Sequence, residues 1–319
     1  MSNNLLIVVA LGGNAISKAH QRGTVAEQFE NSRSTAVQLA DLVLEGHQLV
    51  ITHGNGPQIG NFLLRNEAAA GTIYPLPMEV AAAHVQGGMG FMIAQTLMNE
   101  LARRGDDRVV TTTVTTVVVD SDDPSFAHPT KPIGRQMTKE SADDIERREG
   151  WTMKEVSVGT FRRVVASPPP RRIVEIESIR RSVRAGDIIV ACGGGGIPVS
   201  RDEKTGYTGV QAVIDKDLSS ALLARDLGAD CLLILTTVDR VRINFSTADE
   251  KAIDHMTVDE ARRWFDDGQF PPGSMGPKVQ GAINFLDAAP GGDVFVVIGP
   301  LDRAADALAG TTGTRIDKH

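Results

Sequence analysis

Residues 5–15 read Leu5-Leu-Ile-Val-Val-Ala-Leu-Gly-Gly-Asn-Ala15. An unbroken apolar run closed by a glycine pair is how a strand buried on both faces reads, with a tight turn after it. From Thr24 to His47, apolar residues recur at Val25, Phe29, Ala36, Leu39, Ala40, Val43 and Leu44, and Gly46 stands near the end. That is helical spacing with a C-terminal stop. Gln48 to Thr52 is a second buried strand, running into His53-Gly-Asn-Gly-Pro57. A strand–helix–strand unit with a glycine turn after each strand predicts an α/β fold, a parallel sheet with its loops gathered at one edge.

The rhythm continues along the chain. Met78 to Arg104 reads as a long helix, Val109 to Val119 as strand, and Asp187 to Ala191 as a strand ahead of four glycines, Gly193 to Gly196. Asp215 to Leu227 is helical and Cys231 to Leu235 the next strand. Thr257 to Asp267 and Ser274 to Leu286 are helices, Val294 to Ile298 a strand, and Gly313 to Ile316 a last short strand. Residues from Ser121 to about Arg172 depart from this pattern. They are charged and interrupted by Pro124, Pro129, Pro132 and Pro168-Pro169-Pro170. A stretch of that length without a strand–helix period is expected to be a small inserted subdomain, with Trp151, Phe161, Val164 and Val165 to bury.

The chain has 319 residues, 41% hydrophobic and 23% charged, with a net charge of −7. This is the mix of a globular protein and offers no basic face for nucleic acid. Local lysines must steer any anionic substrate, because the global field repels it. Cys192 and Cys231 sit in separate apolar runs, so small buried side chains are expected, with no disulfide framework and no zinc site. The start lacks a basic leader region and no apolar run approaches the roughly 20 residues that span a bilayer. The Asn244-Phe-Ser246 sequon is therefore read as chance, and the expected compartment is cytoplasmic, with no membrane contact.

Several chemistries are excluded by missing signatures. There is no GxxxxGK[ST] phosphate loop, no HExxH helix, no GxSxG elbow, and no GxGxxG after the first strand. What remains is three glycine turns after buried strands: Gly12-Gly13-Asn14, Gly54-Asn55-Gly56 and Gly193 to Gly196. Glycine lets backbone approach a ligand closely, and ligands of an open α/β sheet gather at the C-terminal strand ends. Three lysines stand in Gly, Pro or carboxylate surroundings instead of on polar helix faces: Lys131, Lys216 beside Asp217, and Lys278. Phosphoryl transfer needs such groups, because its catalysis is mostly positioning and electrostatic stabilisation. A lysine about 4 Å from a phosphoryl oxygen contributes on the order of 4 kcal/mol at an effective dielectric of 20. Two lysines that close need an anchor, and Asp217 is placed to be it. His53 and His84 are read as structural, since an anionic acceptor needs no general base.

Seven collinear stretches carry a resemblance: Val9 to Ala15, Thr52 to Gly60, Pro129 to Gly134, Arg163 to Pro168, Gly193 to Val199, Val213 to Asp217 and Pro272 to Lys278. On these the chain resembles the amino acid kinase family, and within it the carbamate kinases. The resemblance implies an open sheet sandwiched between helices, a small protruding subdomain at about 121–172, and a homodimer. It implies an acid-binding lobe over residues 1–212 and a nucleotide-binding lobe over 213–319. The implied reaction is reversible phosphoryl transfer between ATP and carbamate, with Mg²⁺ held mainly through the nucleotide phosphates and no protein metal site. Lys216, Lys278, Asp217 and Lys131 would be catalytic. Gly12, Gly13, Asn14, Gly54, Asn55, Gly194 and Gly195 would hold carbamate and the moving phosphoryl group. Thr236, Val238, Met275, Gly276 and Lys278 would bind ATP or ADP.

Related kinases carry a lysine where this chain has Ala10, and Lys216 is its implied replacement, which favours carbamate over a larger acid. The family's Thr-Asp-Val-Asp and downstream tyrosine are replaced by Thr236-Thr-Val-Asp239 and Arg240-Val-Arg242, a change beside the nucleotide's sugar and base. After Gly134 the family's aromatic-containing stretch gives way to Arg135-Gln-Met137. Two alternatives stay open on these residues: a kinase for another small acid, or a catalytically weak sensor of nucleotide or carbamoyl phosphate.

Overall fold

A computed structural model describes residues 4–18, 21–289 and 291–319. Met1 to Asn3, on which most of the reading of the chain start falls, lie outside them. Strand β1 (Leu6–Leu11) alternates its side chains between two cores, with Ile7, Val9 and Leu11 in one and Val8 and Ala10 in the other. Because neither face meets water, the apolar run needs no polar alternation. Helix α1 (Val25–Leu44) starts at a capping box in which Thr24 and Glu27 satisfy each other's backbone N–H. It is followed by β2 (Gln48–His53), α2 (Gly56–Ala69), α3 (Met78–Arg103), β3 (Val110–Thr112) and β4 (Thr116–Val118). Next come α4 (Pro124–Ala127), β5 (Lys131–Met137), α5 (Lys139–Glu149), β6 (Met153–Ser157), β7 (Thr160–Val165), β8 (Arg172–Ile173) and α6 (Ile176–Arg184).

Strands β9 (Ile188–Val190), β10 (Ile197–Asp202) and β11 (Gly206–Gly209) lead into α7 (Lys216–Leu227) and β12 (Cys231–Thr236). The remainder is β13 (Val241–Ile243), β14 (Lys251–Ile253), β15 (His255–Thr257), α8 (Val258–Asp266), α9 (Met275–Ala288), β16 (Phe295–Pro300), α10 (Ala304–Leu308) and β17 (Thr314–Asp317). The main sheet has eight strands in the order β15-β17-β16-β12-β1-β2-β9-β3. From β16 to β3 all pairings are parallel, while β17 runs antiparallel to β16. The turns after β1, β2, β9 and β12 therefore open at one edge. The sheet is mixed, mostly parallel, and packed between helices.

Three details differ from the sequence reading. Val109 to Val119 is not one strand: β3 belongs to the main sheet and β4 to a four-stranded sheet, β11-β10-β4-β8. Between them, Gln86 of α3 takes both backbone groups of Thr115, accepting from its N–H at 2.8 Å and donating to its carbonyl at 3.2 Å. The Thr115 carbonyl also accepts from the N–H of Ile197 at 2.9 Å, so the chain changes partner at this point, from β9 before it to β10 after it, with Gln86 holding the Thr115 N–H at the crossing. Helix α2 was not anticipated, although Asn55-Gly-Pro57 is a helix-start signal with Pro in the first turn. The inserted residues are divided. A three-stranded sheet, β5-β7-β6, runs from Lys131 to Val165, whereas β8 pairs with β4. Ile133 and Val165 of that insertion pack into the main core, and Trp151 and Phe161 are only half-buried.

Helices α7 and α9 approach so closely that a Cβ at Gly281 would stand 2.9 Å from the carbonyl oxygen of Asp217. Gly281→Val should force them apart and cost about 1–3 kcal/mol, as overpacking does. Urea denaturation checks this; an unchanged midpoint would mean that the interface can give way freely.

Candidate active site

The strand ends and the N-terminus of α7 enclose a first cleft of about 340 Å³, lined by Gly13, Gly54, Asn55, Gly194, Lys131 and Lys216 together with Asp215 and Asp217. Helix α7 is fastened there from several sides. Thr52 of β2 shares a 2.6 Å hydrogen bond with Ser220, and the Ser219 hydroxyl donates to the Gly195 carbonyl at 2.7 Å. Asp215 caps the helix by accepting from the N–H of Asp217 at 2.9 Å. The stem of Lys216 passes close to Gly54: a Cβ there would be 3.5 Å from both Lys216 Cδ and the Gly13 nitrogen.

At the centre, Asp217 accepts from Lys216 Nζ on one oxygen at 2.7 Å and from Lys278 Nζ on the other at 2.9 Å. All three are largely buried, with Asp217 5% exposed and the lysines 12% and 13%. Burial by itself raises the Asp217 carboxyl, but the two ammonium groups outweigh it and hold the carboxyl down at about 2. Burial lowers the Lys216 ammonium; Asp217 opposes this and Lys278 adds to it, and the balance leaves Lys216 below the ordinary lysine range. Lys278 lines a second cleft of about 230 Å³ with Thr236, Val238, Met275, Arg240 and Phe245. One carboxylate thus holds two cations that face different clefts. That arrangement can stabilise charge on a group passing between them.

Of the remaining sequence candidates, Lys131 reaches the first cleft and pairs with Asp215 at 2.7 Å. Gly12 and Gly195 do not offer their amides to it. The Gly12 N–H is donated to Leu235 O at 2.9 Å and the Gly195 N–H to Cys192 O at 3.0 Å, so both serve the turns themselves. Gly194 is needed for close approach, since at φ +65° a Cβ would lie 2.0 Å from the Asn55 side chain. Gly276 is buried under the second cleft, with its N–H bonded to Pro271 O. The backbone of Asn14 lies in the turn after β1; its side chain is outside the described atoms.

The sequence reading missed Asp215 and Arg162, which border the first cleft, and did not see that Gly56, part of its second glycine turn there, opens helix α2. The α2 signal was present in Asn55-Gly-Pro57. Arg162, engaged by the Gly134 carbonyl through Nε and Nη2, carries no local signature. Arg240 and Arg242 border the second cleft tied to carboxylates: Arg242 to Glu250 at 2.8 Å and Asp239 at 3.2 Å, Arg240 to Asp254 and Asp239. Cys192 and Cys231 are fully buried, and burial raises both thiols far above the ordinary range, so neither is a nucleophile. His84 is exposed beside the Phe62 ring.

His53 is buried under the first cleft, its Nδ1–H donating to the Gly54 carbonyl at 3.1 Å. Burial pushes its imidazole down to about 4 against that bond, and Lys216 lowers it further. A value that low leaves the imidazole neutral near pH 7. The unfolded chain would bind a proton on this histidine below about pH 6.5 while the folded one would not. His53 therefore contributes stability above that pH that is lost as pH falls toward the folded value of about 4. His53→Gln should flatten this part of the stability–pH curve, measured by denaturation at a series of pH values. An unchanged curve would mean that the imidazole already titrates normally in the fold.

Comparison with known proteins adds three findings. The amino acid kinase family model matches residues 6–298. Carbamate kinases of Thermococcus kodakarensis and Clostridium perfringens are 46% and 45% identical, covering 97% and 98% of this chain and 98% and 99% of theirs. A carbamate kinase from Giardia lamblia, solved bound to AMP-PNP, superposes over 100% of both chains with a TM-score of 0.92 at 38% identity.

Proposed function

We propose that this chain, which belongs to the amino acid kinase family and within it to the carbamate kinases, catalyses reversible Mg²⁺-dependent phosphoryl transfer between carbamoyl phosphate and ADP, forming ATP and carbamate. The observation that carries the reading is the Lys216–Asp217–Lys278 clamp, with its two cations facing two clefts. In the direction of ATP formation, an ADP β-phosphate oxygen attacks the phosphorus of carbamoyl phosphate and the bond to the carbamate oxygen breaks. Carbamate leaves with the electron pair as an anion. Lys216 meets the charge from the acid side and Lys278 from the nucleotide side, while the Asp217 carboxylate between them offsets their mutual repulsion. The attacking oxygen is already ionised, which is why a neutral His53 suffices.

Residues 1–212 form the acid-binding lobe in this reading and 213–319 the nucleotide lobe. Gly13, Gly54, Asn55 and Gly194 line the place of the acyl phosphate, and Thr236, Val238 and Met275 that of the nucleotide. The carboxylates nearest the transfer, Asp215 and Asp217, are both engaged by lysines, which fits a metal carried in on the nucleotide's phosphates. Mg²⁺ carried in this way would offset the negative charge of the phosphates during transfer, with Lys216 and Lys278 supplying the protein's share of that charge. Ala10 supports carbamate as the acid. It is wholly buried on the side of β1 where Ala221 and Leu223 of α7 pack, so Lys216 supplies the cation that Ala10 does not.

A homodimer is supported by Val80, Phe91 and Met98, which stand exposed on the outer side of α3. A cytoplasmic location fits the absence, among the described residues, of a helix long and apolar enough to cross a membrane.

Purified protein should form ATP from Mg·ADP and carbamoyl phosphate, followed through hexokinase and glucose 6-phosphate dehydrogenase. Lys216→Met and Lys278→Met should each lower kcat by at least about 10²-fold with the fold retained. Near-normal turnover in either variant would remove that lysine from the transfer. No ATP from a folded protein that binds ADP would favour another small acid or the sensor reading.

A further inference from the structure

Asp215 uses its two oxygens for different purposes. Oδ1 accepts from the N–H of Asp217 at 2.9 Å and so fixes the start of the helix that presents Lys216 and Asp217. Oδ2 accepts from Lys131 Nζ at 2.7 Å, a cation delivered by β5 of the three-stranded insertion. The Lys131 side chain is 34% exposed, against 12% and 13% for the two clamp lysines. Asp215 is itself 14% exposed, so the pair is open to water on the lysine side alone, and there the ammonium can exchange partners more readily than in the buried clamp. Each lysine bordering the first cleft thus has a carboxylate against it, Lys216 the Asp217 that it shares with Lys278 and Lys131 the Asp215 carboxylate. Arg162, at the same cleft, spends Nε and Nη2 on the Gly134 carbonyl.

Resting on the function proposed above, we propose that Asp215 is a positioning residue that holds Lys131 in reserve and yields it to the phosphoryl dianion of the incoming acyl phosphate. The exchange selects by charge. A singly charged acid competes poorly with a carboxylate already at hydrogen-bond distance, whereas a phosphoryl group offers two charges and three oxygens to the same ammonium. When the phosphoryl group leaves toward the nucleotide, Lys131 returns to Asp215 and carbamate is released from a cleft whose lysines are again answered.

Asp215→Asn separates the two purposes, because asparagine caps a helix as well as aspartate but carries no charge. The probe is phosphonoacetamide, the uncleavable methylene analogue of carbamoyl phosphate, titrated calorimetrically into the full chain. The variant should bind it about tenfold more tightly, the order expected when a charge-assisted competitor is removed. KM for carbamoyl phosphate should fall in parallel while KM for ADP stays put. In a Lys131→Met background the same substitution should tighten binding by less than about twofold, as coupled residues do.

Unchanged binding would reduce Asp215 to a helix cap. Weaker binding would mean that its charge aims Lys131 instead of reserving it, and equal tightening without Lys131 would indicate bare repulsion. Each of these overturns the exchange. Wild-type protein that binds the analogue but forms no ATP would refute the kinase reading alone, and the binding comparison would still decide this one. Absence of analogue binding by the wild type would overturn both.

Discussion

The carboxylate of Asp217, shared between Lys216 and Lys278, is the contact on which the rest of the site depends. A lysine buried to this degree sheds its proton unless an anion stands against it, and a carboxylate buried alone takes one up. Together the three groups stay charged out of water. The fold keeps that arrangement from relaxing. Gly281 lets α9 lie against the backbone of Asp217, and Thr52, Gly195 and Asp215 hold the first turn of α7 on the sheet edge. The clamp is therefore a property of two helix starts and a strand edge more than of three side chains.

The glycine run before β10 is constrained in a complementary way. Gly193 faces His53, Gly194 the side chain of Asn55, Gly195 the carbonyl of Ile214 and Gly196 the side chain of Val117, each with no room for a Cβ. Cys192, just before them, takes a left-handed φ of 51° and donates its N–H to Thr115 Oγ1. Four glycines in a row would be loose in isolation. Here neighbours on every side remove that freedom, and a rigid wall of the first cleft results.

Much of this was legible in the sequence because it rested on local periodicity. The continuous apolar runs at Leu5 and Gln48, the helical spacing after Thr24 and the lysines in Gly and Pro surroundings each report on their own few residues. What was not legible depended on distant partners. Thr115 marks where an apparently single strand passes from β9 to β10, its N–H held by Gln86 and its carbonyl by Ile197, both far off in sequence. Gly12 and Gly195 looked available for an anion, yet Leu235 and Cys192 take their amides. Asp215 read as a plain neighbour of Lys216 until β5 brought Lys131 to it. Arg240 and Arg242 stood out as departures, and their pairing with Glu250, Asp239 and Asp254 could not be seen without the β13–β14 hairpin.

The position of β17 has a consequence for how the protein is made. Thr314–Asp317 lies inside the sheet, between β15 and β16, and β1 waits for β12 as its second neighbour. During synthesis, β1, α1 and β2 can assemble early, since their contacts are local in sequence. The other half stays an open edge until residue 317 has cleared the ribosome, with β16 exposing a full row of unpaired backbone groups. Half of the sheet is thus available to the nascent chain long before the nucleotide side can close. The interval between them is when this protein most needs shielding from its own unfinished copies.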